Sequence, residues 1–98
     1  MSTKLTKIIN HWVPKNSKVI DFGCGEGSLL SELIETKDVL GYGVEISDSK
    51  IEKCIEKGVP VIKHNIDSGI DQFMQYGFDL SIICILYTYT SPPDLRKT

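Results

Sequence analysis

The sequence predicts an α/β fold built on a doubly wound parallel sheet of strand order 3-2-1-4, and three observations carry that prediction. Short, near-continuous apolar runs alternate with stretches of helical periodicity, the pattern of parallel strands covered on both faces. One apolar run, Val19-Ile20-Asp21-Phe22, passes directly into glycines at every second position, Gly23, Gly25 and Gly27, before a helical pattern resumes at Ser28. A second run, Gly41-Tyr42-Gly43-Val44, ends on an acid, Glu45. Right-handed crossovers favour the 3-2-1-4 order and put a ligand crevice between strands 1 and 4.

Each element has its own signal. Leu5, Ile8, Ile9 and Trp12 recur at helical spacing. They predict an amphipathic helix over 3–12, stopped by Pro14 and anchored in the core by Trp12, whose alternative role is a substrate lid. Residues 18–22 form the first strand. Leu29, Leu30, Leu33 and Ile34 give one face of a helix over 28–36, and residues 40–46 form the second strand. Ser47 is placed to cap a helix running to Lys57, with Gly58 as a left-handed stop. Ile51, Cys54 and Ile55 make its packing face; Glu52, Lys53, Glu56 and Lys57 make a solvated one. Val59 to Lys63 reads as a third strand, residues 69–75 as a short helix or turn, and Phe78 to Leu86 as a fourth strand.

Composition narrows the function. A chain of 98 residues, 41% hydrophobic and 24% charged, is a single small globular domain spanning 1–98. Its net charge of −2 and lack of a basic run give no footprint for nucleic acid. The apolar run from Ile82 to Leu86 is far too short for a bilayer, and the N-terminus lacks a signal peptide's apolar segment. A cytoplasmic protein without a membrane partner is expected. Cys24, Cys54 and Cys84 form no C-x-x-C pair and read as reduced thiols. His11 and His64 are isolated, so no metal site is expected.

The glycine spacing identifies the ligand class. Dinucleotide-binding turns read G-x-G-x-x-G, with the pyrophosphate at a helix N-terminus. Here the third glycine comes one residue early, and Ser28 stands where the dinucleotide pattern has glycine. Asp21 and Glu26 flank the turn, which opposes a pyrophosphate but suits a ligand carrying sulfonium and ammonium groups. Glu45 at the second strand's end can accept hydrogen bonds from ribose hydroxyls. Asp-x-Gly-x-Gly-x-Gly resembles motif I of the class I S-adenosylmethionine-dependent methyltransferases, whose fold is Rossmann-like. An NAD-dependent oxidoreductase is disfavoured by the early glycine and by the lack of a recognisable hydride-acceptor site.

A narrower resemblance runs through Ile20-Asp21-Phe22-Gly23-Cys24-Gly25-Glu26-Gly27, Gly41-Tyr42-Gly43-Val44-Glu45-Ile46, Cys54-Ile55-Glu56-Lys57-Gly58-Val59-Pro60-Val61-Ile62 and Phe78-Asp79. Over about residues 5–94 the chain resembles the MetW family of methionine-biosynthesis proteins. That resemblance implies S-adenosylmethionine as cofactor and S-adenosylhomocysteine as product. It implies that Gly23, Gly25 and Gly27, with the neighbouring Phe22 and Cys24, wrap the methionine part, and that Asp21 lies near its amino group. Glu45 holds the ribose hydroxyls and Ile46 packs on the adenine. Asn65 stands where the family has an acid for the adenine amino group, beside Ile66, and its amide oxygen can accept the same bond without charge assistance. Asp67 matches a second family acid and is expected to cap the following turn. Cys84 and Ile85 replace polar residues found past the family's fourth strand.

The same resemblance implies an incomplete class I methyltransferase fold with a leading helix, because three further strands would follow the fourth. Either the chain is a truncated or fragmentary cofactor half, or a partner chain or self-association covers the fourth-strand edge. The family's association with homoserine acylation points to a homoserine acetyltransferase as the partner. Two functions therefore follow: a MetW-type methyltransferase, or a non-catalytic cofactor-binding regulator of that acetyltransferase. Methyl transfer from a sulfonium mainly needs in-line positioning, with a base only when the acceptor carries a proton. No residue stands out as that base: His64 ends the third strand, away from the expected methyl position. No catalytic residue and no methyl acceptor are assigned.

Overall fold

A computed structural model describes residues 4–83. They form α1 (Lys4–Trp12), β1 (Lys18–Phe22), α2 (Ser28–Lys37), β2 (Leu40–Glu45), α3 (Asp48–Glu56), β3 (Val61–Lys63), two 3₁₀ segments (Ile66–Ser68 and Asp71–Tyr76) and β4 (Leu80–Ile83). The strands make one parallel sheet in the predicted order β3-β2-β1-β4. β1 is central, in register with β2 from Lys18–Leu40 to Phe22–Val44 and with β4 from Val19–Leu80 to Phe22–Ile83. The order of the strands reverses at β1, and the glycine turn leaves the sheet there.

Alternation along the strands separates two cores. Val19 packs with Val13, Leu30, Leu33, Val39, Cys54, Val59 and Ile82 on the face carrying the helices. Ile20, Phe22 and Val44 pack with Phe73 on the other face, where the 3₁₀ segments stand in place of a full helix. α2 sits close on β2 because Gly41 has no side chain: a Cβ there would lie 3.0 Å from Leu30 Cδ2 and 3.3 Å from Ile34 Cγ1.

Several boundaries depart from the sequence reading. β3 starts at Val61 because Pro60 has no N–H to give the ladder; its carbonyl still accepts from Gly43 N at 2.8 Å, and Val59 turns into the core. β4 starts at Leu80, held to β1 by paired bonds at Asp79: its N–H donates to Lys18 O at 2.7 Å, and its Oδ2 accepts from Lys18 N at 2.8 Å. The remainder of the expected fourth strand, positions 84–86, lies outside the described residues.

Trp12 is not a core anchor: it is 77% exposed. The inward side of α1 is rotated by one residue, so that Ile9 and Val13 pack on the core while Asn10 Nδ2 donates to Glu32 Oε2 at 3.2 Å and to Thr36 Oγ1 at 2.9 Å on α2. A single facing helix gives α1 a narrow seam, which Ile9, Asn10 and Val13 fill. Ile8 is consequently half exposed. α3 begins and ends as its caps predict, with Ser47 Oγ accepting from Lys50 N and Gly58 at φ 75°. Cys54 is fully buried on it, whereas Ile55 faces solvent rather than completing the packing face.

Candidate functional site

The candidate site lies where β1 and β2 end side by side. Gly23, Gly25 and Gly27 all take positive φ, at 78°, 63° and 86°, a region open to glycine and costly for other residues. The turn is fastened to β2: Gly23 N and Cys24 N both donate to Val44 O, at 2.7 and 3.1 Å. Gly27 then caps α2 in the left-handed conformation.

The three glycines do different work. A Cβ on Gly25 would meet nothing within 4 Å, so the backbone there borders open space. A Cβ on Gly27 would lie 3.0 Å from Cys54 Sγ and 3.5 Å from Val59 Cγ2, so this glycine lets the turn settle onto α3. Gly43, which the sequence reading treated only as part of an apolar strand, belongs to the same assembly. It pairs with Asp21 across the sheet, and a Cβ on it would come 2.5 Å from Cys24 Sγ. The alternation Gly41-x-Gly43 was its signal, because strand period two puts both glycines on the helix-covered face.

Glu45 is buried to 8% exposure, and both carboxylate oxygens are engaged. Oε1 accepts from Gly25 N at 2.9 Å and Oε2 from Ser47 N at 3.1 Å. A carboxylate offers about four acceptor positions, so each oxygen keeps one for a ligand while the backbone fixes its direction. The second bond, to the N-cap of α3, has no counterpart in the sequence reading.

Asp21 lies on the same face, 4% exposed, and accepts no hydrogen bond from the described residues. Burial, reinforced by the nearby Glu45 charge, raises its carboxyl from an ordinary 3.8 to about 7. Cys24, beside it in the turn, has its thiol pushed up chiefly by burial and next by Cys54. Two buried carboxyls, Asp21 and Glu45, thus lie close together beside the turn.

The other expected residues are placed differently. Phe22 has its side chain in the opposite core, edge-on to Phe73 with ring centroids 5.6 Å apart, so only its backbone borders the turn. Ile46 follows β2 and is half exposed. Asn65 is exposed and spends its amide oxygen on Asp67 N at 2.9 Å. It caps the 3₁₀ segment Ile66–Ser68, whereas Asp67 does not cap the following one: Asp71–Tyr76 has Ile70 at its N-cap, without a side-chain cap bond. Ile66 packs against the Phe73 core. Cys84 lies outside the described residues. His64 bonds Gly69 O at 2.8 Å through Nε2 and stands edge-on to Phe73, a local fastening role. Among the described residues no group of three or more His, Cys, Asp or Glu side chains could hold a metal, and no helix is long and apolar enough to cross a membrane.

Comparison with known proteins supplies the family. The family model described as methionine biosynthesis protein MetW matches residues 4–95. A bifunctional methionine biosynthesis protein MetXA/MetW of Rhodopirellula baltica is 28% identical over 79 residues, covering 72% of this chain and 13% of that protein. A carboxy-S-adenosyl-L-methionine synthase of Campylobacter lari is 27% identical over 97 residues, covering 95% and 41%. Among solved structures, an S-adenosylmethionine-dependent methyltransferase from Thiobacillus denitrificans in complex with S-adenosyl-L-homocysteine superposes with a TM-score of 0.70 at 14% identity, covering 85% of this chain and 36% of that one. A TehB-like methyltransferase from Corynebacterium glutamicum gives 0.67 at 20% identity, covering 81% and 42%. The chain spans less than half the length of these relatives. With the 3-2-1-4 sheet and the turn in place, the conclusion is that this chain has the class I methyltransferase fold and belongs to the MetW family of methionine-biosynthesis proteins.

Proposed function

We propose that this chain binds S-adenosylmethionine at the glycine turn and acts as a MetW-type, methyltransferase-like protein. The observation that carries the reading is the bond from Gly25 N to Glu45 Oε1, at 2.9 Å. It couples an open stretch of positive-φ backbone to a buried carboxylate with acceptor capacity left over. The residues fit the cofactor: the open side of Gly25 admits a close ligand backbone, and the Asp21 carboxyl, without a hydrogen-bond donor among the described residues, favours an ammonium. Binding a cation there would relieve the Asp21–Glu45 repulsion. When bound, the cofactor supplies a methyl group on a sulfonium. The chain's own part is to hold the ribose at Glu45, with Ile46 beside it for the adenine, and to exclude water with the turn. Asn65 can reach a ligand only through the capacity its capping bond leaves, so it makes a secondary contribution.

The test is calorimetric titration with S-adenosylmethionine and S-adenosylhomocysteine, with NADH as control. Saturable binding of the first two is expected. Glu45→Ala should weaken it by roughly 1.5–3 kcal/mol, the range for hydrogen bonds to a charged group. Unchanged affinity in that variant removes the proposed site.

A second reading is favoured by one relative, in which MetXA and MetW are joined in a single bifunctional chain. On it the domain is a cofactor-binding regulator of a homoserine acetyltransferase. Binding without methyl transfer, together with a stable complex with that enzyme, would select it.

A further inference from the structure

Beneath the candidate site two thiols from different elements face each other. Cys24 Sγ, in the turn, lies 3.7 Å from Cys54 Sγ, on α3, with Cys24 partly exposed and Cys54 fully buried. Both point at one backbone oxygen: Cys54 Sγ donates to Gly25 O at 3.2 Å, and Cys24 Sγ reaches the same oxygen at 3.6 Å. We propose that Cys24 and Cys54 are a redox pair whose disulfide cross-links the glycine turn to α3 and distorts the ligand site.

The geometry requires little movement. A disulfide has an S–S distance of about 2.05 Å, so the two sulfurs must close by about 1.7 Å from their present separation. Gly43, with no side chain, leaves the space in which Cys24 Sγ lies. The oxidant is a peroxide. The partly exposed Cys24 loses its proton and, as thiolate, attacks an oxygen of hydrogen peroxide; the O–O bond breaks, giving a sulfenic acid and a hydroxide that takes up that proton as water. Cys54 then attacks that sulfur, the S–O bond breaks and a second water leaves with the thiol proton. Two electrons pass from the sulfur pair to the peroxide. Burial pushes both thiols up, so the thiolate is scarce and the reaction slow.

The consequence for the site is specific. Oxidation removes both S–H donors, leaving Gly25 O without them, and it pulls Cys24 between two glycines whose positive φ defines the turn. Gly25 N is the donor to Glu45. The effect on affinity rests on the cofactor reading above; formation of the bond does not.

The test treats the full chain with excess hydrogen peroxide and maps disulfides by non-reducing peptide mass spectrometry. The expected result is a Cys24–Cys54 linkage with the Cys84 peptide outside it, reversed by dithiothreitol. Affinity for S-adenosylhomocysteine should be at least tenfold weaker in the oxidised protein and restored on reduction. Linkages only through Cys84, or no linkage, overturn the pairing. A mapped Cys24–Cys54 bond with unchanged affinity overturns the coupling to the site. Reduced protein that binds nothing refutes the cofactor reading instead, while the mapping still decides the pair.

Discussion

The two faces of the sheet are closed by opposite means. On one, α2 and α3 come down onto the sheet with α1 against α2, and β2 contributes little bulk: Gly41 and Gly43 leave the space that Leu30, Ile34 and Cys24 occupy. On the other, the strands and 3₁₀ segments supply bulk themselves. Phe22 meets Phe73 edge-on, and Tyr42 meets Phe78 with ring centroids 5.8 Å apart. There Ile62, Met74 and Tyr76 remain half exposed among the described residues. The difference teaches where chemistry can sit. The site belongs to the face where small residues let backbone and buried carboxylates crowd together; the aromatic face is mainly packing. Lys18 Nζ, bonded to Tyr76 O and 4.9 Å from the centre of the Phe78 ring, fastens that second face to β1.

Four variants break or sharpen this contrast. Phe73 is the buried plug of the aromatic face, so Phe73→Ala should cost about 3–5 kcal/mol in urea unfolding. A loss below about 1 kcal/mol would mean that the face does not depend on it.

Asp21 should give a pH signature on the glycine face. Its folded carboxyl titrates near 7 and its unfolded one near 3.8. The folded state therefore holds the proton more tightly, and stability falls as pH rises from about 4 to about 7, by on the order of 3–4 kcal/mol at about 1.4 kcal/mol per tenfold change in proton affinity. Asp21→Asn removes that slope, so it should gain on the parent chain steadily between pH 4 and pH 8. Parallel pH–stability curves for the two proteins would show that Asp21 is ionised in the fold throughout.

A smaller effect is expected of Gly43→Ala. The new Cβ would sit 2.5 Å from Cys24 Sγ, the end of a movable side chain, so the cost should be about 1–3 kcal/mol in the same unfolding measurement. The equivalent change on the aromatic face, Tyr42→Phe, should stay within about 0.5 kcal/mol. Equal costs would erase the distinction between the faces.

Much of this was legible in the residues because it is local. Glycine at alternate positions after an apolar run demands the turn, Ser47 and Gly58 bound α3 by their own chemistry, and alternating strand and helix patterns lead to the 3-2-1-4 sheet through crossover handedness. What the tertiary structure alone decided depends on how elements are rotated against each other. Trp12 and Val13 are adjacent, and periodicity alone cannot choose which meets α2; the narrow seam chose Val13. Asn65 carries a capping bond that its ligand-contact reading did not include, because a backbone N–H two residues on was within reach. Cys24 and Cys54 are 30 residues apart and look unrelated until Gly27 and Gly43 give their sulfurs room to meet. Hydrophobic pattern and turn chemistry act along the chain, so sequence determines them; contact between distant side chains arises only when packing has fixed every element's rotation and depth.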